Sequence, residues 1–365
     1  MTNFIEIDGS LYEGGGQILR TALALSALTK KGFVIKNIRK NRPQKGLKQQ
    51  HLIAVNVIKE ICNAEVKGNF IGSENLEFYP NETEFKNLNI DIETAGSITL
   101  LLQALMPVLI FSDKPIKVRI KGGTDVSHSP SIDYFINVFL PFFKEIIDYE
   151  TELLKRGYYP KGNGDFILKI KPKFNFSFKD FSSFSEFYNF LKEQNKKIIA
   201  KKGNLIYIKG ISHSSMDLIK NKVSERQAKY AKFVLSNYLL NNKLEVPIKI
   251  QTIYNETLST GSGITLWAFF NSKEDNFNNL KISNDEIKIG TILGSDSLGE
   301  KGKRAEIVGK ECAENLIKQI ESVFDVDSYL GDQLLIYKAL FGGSYKCEIT
   351  GHYKANEYVI ERFLS

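Results

Sequence analysis

Near its C-terminus the chain reads ITGHYKANEYVIERFLS, Ile349 to Ser365. His352 is one of four histidines, and an imidazole that stays neutral near pH 7 can act as a nucleophile. Taken alone, it also fits a tolerated polar residue where a strand meets a loop, because most single histidines titrate without doing chemistry. At the other end, DGSLYEGGGQILR places Asp8 at a strand end, Glu13 before Gly14, Gly15 and Gly16, and Arg20 one turn into a helix. Consecutive glycines let the backbone approach a phosphate, and a helix N-terminus favours an anion. The run is neither a Walker A loop nor a GxGxxG fingerprint, so a flexible turn explains the glycines alone. Glu13 beside them shifts the balance, since a carboxylate there suits a divalent cation bridging phosphate oxygens.

The stretch IRKNRPQKGLKQQH gathers Arg39, Lys40, Arg42, Lys45 and Lys48 around Pro43 and Gly46, followed by Gln50 and His51. Guanidinium pairs suit bidentate capture of phosphate, although such runs are often only solvated turns. The position, between a strand end and a helix start, is where α/β layers hold ligands. GGTDVSHSPSIDYF offers Asp125, His128 and Pro130, yet a serine cap with Pro130 setting the turn accounts for much of it. In VDSYLGDQLLIYKAL, Tyr329 can pack in a core and Asp332 can favour a helix N-terminus, while Gln333 follows. Asp332 is also a carboxylate suited to holding His352 in one tautomer, if its helix returns beside that segment. GYYPKGNGDF reads as a hairpin turn, and Lys301, Lys303 and Arg304 as surface charge.

The elements that must position these groups follow from periodicity. Strand, helix, strand, helix and two strands occupy the first 80 residues, and the order returns at an offset of roughly 85 residues, longer than solenoid periods. Composition changes at KFNFSFKDFSSFSEF, and a polar stretch NSKEDNFNNLKISNDE precedes two further helices. The expected fold is α/β in an α+β layered form. It has three tandem βαβαββ units, each a four-stranded sheet covered by two helices, with a smaller α/β domain inserted in the third. The catalytic body is expected at 1–175 and 286–365 and the insert at 176–285, with two strands following the helix at about Tyr329–Leu340 and His352 at a strand–loop boundary. The 365 residues, 42% hydrophobic and 25% charged, suffice for more than one domain. The net charge of +7 permits an anionic partner without requiring one. Three dispersed cysteines argue against a disulfide framework or structural zinc. No signal-like start or membrane-length apolar run is seen, so a cytoplasmic protein with no membrane association is expected.

With these residues in view, the chain resembles the RNA 3′-terminal phosphate cyclase family. The resemblance runs through EGGGQILR, IRKNRPQKGLKQQHL, AGSITLLLQALMP, GGTDVSHSPSIDYF, GYYPKGNGD, YLGDQLL and HYKANEYVIERF, and is faint in the inserted region. It implies the three-unit body with an insert. It also implies ATP-dependent conversion of an RNA 3′-phosphate to a 2′,3′-cyclic phosphodiester, through a covalent histidine–AMP and an RNA-adenylate anhydride, with release of pyrophosphate and AMP. On this resemblance His352 is the nucleophile, through its tele nitrogen, and Asp332 orients it. Arg20, Arg39, Arg42 and Gln50 contact phosphates near Gly14 and Gly15, and Glu13 holds Mg or Mn. Gln103 and Gln333 lie near the nucleotide, and Tyr329 and Pro130 sandwich the adenine. The implied partners are ATP and RNA with a 3′-phosphate end, with a homodimer left open. The alternative is a noncatalytic RNA-binding ribosome-assembly factor of the same fold. Such relatives lack the nucleophile and much of the phosphate cluster, all present here.

Overall fold

Two short parallel strands and two helices begin the chain: β1 (Ile5–Asp8), α1 (Gln17–Thr29), β2 (Phe33–Lys36) and α2 (Gln49–Ile61). Strands β3 (Glu65–Lys67) and β4 (Leu76–Tyr79) complete a sheet of order β1-β2-β4-β3, in which only β1 and β2 run parallel. This computed structural model describes residues 4–13, 15–174, 176, 180–194, 196–272 and 289–365. The sequence QILRTALALSALT is apolar on nearly every face, and every residue of α1 is buried. A helix without a polar face must be covered on all sides, and α1 packs against α2 and against the helices at Ile98–Leu109 and Gly351–Leu364. α2 is one-sided, burying His51, Ala54, Val55, Val57, Ile58 and Ile61.

The same order recurs in β5 (Leu88–Asp91), α3 (Ile98–Leu109), β6 (Ile116–Gly122), β7 (Ile147–Lys155) and β8 (Gly164–Pro172), giving a sheet β5-β6-β8-β7 with matching polarity. The second helix of this repeat, the counterpart of α2, is broken. It starts as α4 (Ile132–Tyr134), widens to a π turn at Phe135–Phe139 and tightens to a 3-10 turn at Leu140–Phe143. Pro141, which lacks an N–H, lies at that last change.

After α5 (Phe184–Glu193) and the two-residue β9 (Ile198–Ile199) comes a third four-stranded sheet. β10 (Leu205–Ser215), α6 (Val223–Asn241), β11 (Ile248–Asn255), β12 (Ser262–Asn271), β13 (Ile289–Leu298) and α7 (Ala305–Glu321) form order β11-β10-β12-β13. Its core joins Ile208, Leu235, Ile264, Leu266 and Leu293 to Val308, Cys312 and Leu316, separate from the large core of the rest. Residue 285, expected as the end of the insert, lies outside the described residues. β13 and α7 beyond it belong to this layer, because their apolar faces close its core.

The C-terminal segment departs most from expectation. It holds α8 (Ser328–Gln333), α9 (Leu335–Phe341), β14 (Gly343–Ser344) paired with β9, and α10 (Gly351–Leu364). In place of a strand–loop boundary, His352 sits in the first turn of α10. Ala355, Asn356, Val359, Ile360 and Phe363 are buried at helical spacing, and Thr350 Oγ1 caps the helix by accepting from Tyr353 N at 3.0 Å. The sheet β11-β10-β12-β13 repeats the parallel, antiparallel, antiparallel polarity of the first two sheets, with its strands in a different chain order. No described helix is long and apolar enough to cross a membrane.

Candidate active site

Asn356, one turn after His352, fastens α10 to the front of the molecule. Its Oδ1 accepts from Gln17 Nε2 at 2.9 Å and Thr21 Oγ1 at 2.5 Å, and its Nδ2 donates to the Asp332 carbonyl at 2.8 Å. One buried amide thus ties α10 to α1 and α8. Such a group fixes a unique arrangement, because any other leaves donors unpaired in the interior. Farther along, Tyr358 Oη accepts from Asp8 N at 3.3 Å, and Phe363 packs edge-on against Phe33.

This docking sets His352 on the loop before α1. His352 Nε2 lies 3.1 Å from Glu13 Oε2, and the same oxygen is 3.4 Å from an Arg42 guanidinium nitrogen. A Cβ at Gly351 would sit 2.7 Å from Glu13 Cγ, and one at Gly16 would fall 2.3 Å from His51 Nε2. Glycine is needed at both places for the three segments to approach. Gly15 faces Arg42, whereas Gly14 lies outside the described residues. Burial, with Arg20 and Arg42 nearby, lowers the His352 pKa from its usual value against the opposing pull of Glu13. The imidazole is therefore neutral near pH 7 and can offer a lone pair.

Arg20 and Asp332 form the floor. The buried Arg20 donates to Gln17 Oε1 at 2.6 Å, and burial lowers its pKa to about 10 despite the charge of Asp332. Burial likewise raises the Asp332 carboxyl to about 8, against the pull of Arg20. Asp332 reaches the nucleophile's helix through its carbonyl and Asn356, and its carboxylate forms no ion pair with His352. Glu13 is the carboxylate at the ring. Among the described residues nine buried side-chain polar atoms lack a hydrogen-bond partner, and Arg20 Nε, Gln103 Oε1 and His352 Nδ1 are three of them. Buried polar groups are almost always paired, so the unpaired Arg20 Nε and His352 Nδ1, on side chains that interact electrostatically beside Glu13 and Arg42, leave hydrogen-bonding capacity for a ligand.

The basic loop divides its labour. Arg39, at φ 56°, donates to the carbonyls of Gln44 at 2.6 Å and Gly46 at 3.1 Å, clasping the loop, while half-exposed Arg42 points to Glu13. Burial lowers the pKa of Arg39, with Arg42 adding to the effect. His51 Nδ1 accepts from Lys48 N at 3.1 Å, and burial, reinforced by Arg20, Arg39 and Lys48, drops its pKa to about 3. It is thus a neutral ring that presents Nε2–H toward Gly16. Gln50 Oε1 accepts from Ser97 N at 3.2 Å, joining α2 to the start of α3. Beyond Ser97 lies Pro130, whose carbonyl accepts from Thr99 Oγ1 at 2.8 Å. Tyr329 packs edge-on against Tyr134 at 5.8 Å, and Tyr134 donates to Asp327 Oδ1 at 2.6 Å. Asp327 also caps α8, the helix that carries Tyr329, Asp332 and the buried Gln333.

A family model described as RNA 3′-terminal phosphate cyclase matches residues 11–365. Relatives carrying that name are found in Pyrococcus abyssi, 41% identical over 99% of this chain and 93% of the relative, and in Sulfurisphaera tokodaii, 44% identical over 99% and 94%. A third, from Saccharolobus solfataricus, is 43% identical over 99% and 94%. The chain belongs to the RNA 3′-terminal phosphate cyclase family.

A second cluster in this cyclase-family chain was not foreseen. Asp125, noted only as a loop residue, is buried with Asp133, His213, Arg156 and Tyr158 between β6, α4 and β10. Arg156 bridges Asp125 at 3.0 Å and Asp133 at 2.7 Å, His213 Nε2 faces Asp125 Oδ1 at 3.3 Å, and Tyr158 Oη meets His213 Nδ1 at 2.8 Å. The donor set can suit a metal, but the Arg156 guanidinium already supplies the cation. No local signal predicts this grouping, since Asp125 and His213 meet only through packing of two sheets. Ser131 caps α4 as expected, accepting from Tyr134 N at 3.2 Å. Near α7, Lys303 pairs with Glu311 and Arg304 lies 3.7 Å from Glu306, in keeping with surface charge.

Proposed function

We propose that this chain is an ATP-dependent RNA 3′-terminal phosphate cyclase whose covalent carrier is His352. The carrying observation is the meeting of His352 Nε2, Glu13 and Arg42, from opposite ends of the chain, beside the start of α1. Attack by Nε2 on the α-phosphorus of ATP forms the N–P bond and breaks the bond to the bridging oxygen of pyrophosphate. Arg42 and Arg20 stabilise the charge that gathers on the leaving oxygens. In the resting contact with Glu13 the proton sits on Nε2. Attack therefore requires its transfer away, with Glu13 as the adjacent acceptor. The RNA 3′-phosphate then takes the adenylyl group, breaking the P–N bond and freeing His352. Finally the vicinal 2′-hydroxyl attacks its own phosphorus and expels AMP. That step draws mainly on positioning, because both reacting groups share one ribose.

Gln103, Pro130, Tyr329 and Gln333 are proposed to hold the nucleoside, with Gln50 and Arg39 maintaining the phosphate loop. Glu13 also fits a hard divalent cation such as Mg or Mn. It is a single half-exposed carboxylate at a phosphate-sized turn, the pattern of ions that take most of their ligands from phosphate and water. Such an ion would supply charge neutralisation at the phosphates. The test is incubation of a 3′-phosphorylated oligoribonucleotide with ATP. The reading requires the terminal phosphate to become resistant to phosphatase as AMP appears. A terminus that stays sensitive, with ATP intact, contradicts it.

A further inference from the structure

Beside the basic loop lies a cavity of about 500 Å³ lined by Gln44, Lys45, Leu47, Lys48, Ile71 and Thr94, among others. One wall is the segment whose carbonyls at Gln44 and Gly46 hold Arg39, so the cavity continues directly from the phosphate loop. Ile71 and Gly72 of the turn Gly68–Ser73 line the cavity, and beside Ile71, 56% exposed, the same turn carries Phe70, 63% exposed. This turn is held in place: Gly72 N donates to Leu47 O at 2.8 Å, Leu47 N to Ser73 O at 3.0 Å, and Asn69 Nδ2 to Asn56 Oδ1 at 3.2 Å. Gly68 and Gly72, at φ 84° and 82°, give it its shape.

Isolated exposed apolar side chains are ordinary. Here an aromatic and a branched aliphatic stand together on a pinned turn, next to two lysines. Lys45 and Lys48 form no ion pair among the described residues, whereas Glu93, beside Thr94, is engaged by Gln49 Nε2 at 3.0 Å. Cations along a groove with an aromatic at its edge are what single-stranded nucleic acid requires, because phosphates track the charge and a base stacks on the ring. Resting on the cyclase reading, we propose that this cavity receives the RNA strand upstream of the terminal phosphate. Lys45 and Lys48 contact its backbone, and Phe70, backed by Ile71, stacks on a base.

The test uses full-length protein and a 5′-labelled, 3′-phosphorylated oligoribonucleotide. Phe70→Ala weakens RNA binding by about 5- to 150-fold, the span expected for one stacked base. It leaves ATP-dependent self-labelling in the absence of RNA at the wild-type rate. Lys45→Gln lowers the slope of log affinity against log salt by about 0.7, the loss of one phosphate contact. A nucleoside 3′-phosphate, with no upstream strand, reacts equally with wild type and Phe70→Ala. Because Phe70 is exposed, the variant folds, and Ile71→Ala provides a second probe. Wild-type RNA affinity in both variants overturns the subsite while the cyclase reading stands. Failure of the wild-type protein to label itself counts against the cyclase reading instead.

Discussion

Carboxylate, guanidinium and imidazole meet twice in this molecule, with opposite results. In the interior, Arg156 is shared by Asp125 and Asp133, and His213 closes the group with Tyr158; every member is sealed from water. At the front, Glu13, Arg42 and His352 meet at 3.1 and 3.4 Å, each half-exposed, with Arg20 Nε, Gln103 Oε1 and His352 Nδ1 unpaired behind them. The first arrangement spends its charges on one another and joins two sheets. The second leaves them available. Residue types alone do not distinguish a site from a strut, and neither do atoms without a hydrogen bond, since Asp125 Oδ1, Arg156 Nε and His213 Nε2 lack one too; the distinction is access from solvent.

The comparison breaks most sharply at His352. His352→Ala or His352→Asn abolishes covalent labelling by ATP while the thermal midpoint stays near that of the wild type, because a half-exposed ring at a helix start carries little packing. Unchanged labelling would remove His352 from the chemistry. The interior cluster answers the other way. Arg156→Met strands two buried carboxylates and costs about 3–5 kcal/mol of stability, read from denaturant midpoints, with self-labelling retained in the folded fraction. A loss below about 1 kcal/mol would show that the cluster is not a strut.

Glu13→Gln keeps the shape and removes the charge, slowing self-labelling by about 10²-fold. Since Glu13 raises the His352 pKa against burial, its loss moves the acid limb of the pH–rate profile to lower pH. A shift to higher pH contradicts the assignment. Asp332→Ala slows labelling by about 10-fold, because Asp332 acts beside the nucleophile and not on the phosphorus. Asp332 titrates at about 8 in the fold, above its ordinary value. The native state holds a proton that the unfolded chain has released, so its contribution to stability is full below about pH 4 and is lost as pH rises through about 8. Asp332→Asn flattens that fall, measured as urea midpoints at about pH 5 and about pH 8. An unchanged slope would place the titration elsewhere. The smallest effect is at Arg304, where alanine changes stability by less than about 0.5 kcal/mol and labelling not at all.

Much of the fold could be read from periodicity, because α1, α3 and the strands of the first two sheets bury strongly patterned faces. The C-terminal helix could not. YVIERF at Tyr358–Phe363 reads as strand or helix at short range, and what selects helix is burial of Asn356 against Gln17 and Thr21, contacts remote in sequence. The edge expected at 285 lies outside the described residues. A composition change marks where polar residues begin, not which strands share a core. Glu13, Arg42 and His352 stood out by type and by the motifs around them. The partner of His352 did not, since the sequence pointed to Asp332 and only the docking of α10 brings Glu13 to the ring. The buried Asp125–Arg156–His213 group left no local trace at all.

The central claim is that Nε2 of His352 carries AMP. Protein incubated with ATP labelled at the α-phosphate, then digested, should yield one labelled peptide containing His352. Its label should be lost in acid, retained in base, and discharged as AMP when a 3′-phosphorylated oligoribonucleotide is added before digestion. Label on a lysine peptide, or a covalent label equally strong in His352→Asn, would contradict the account.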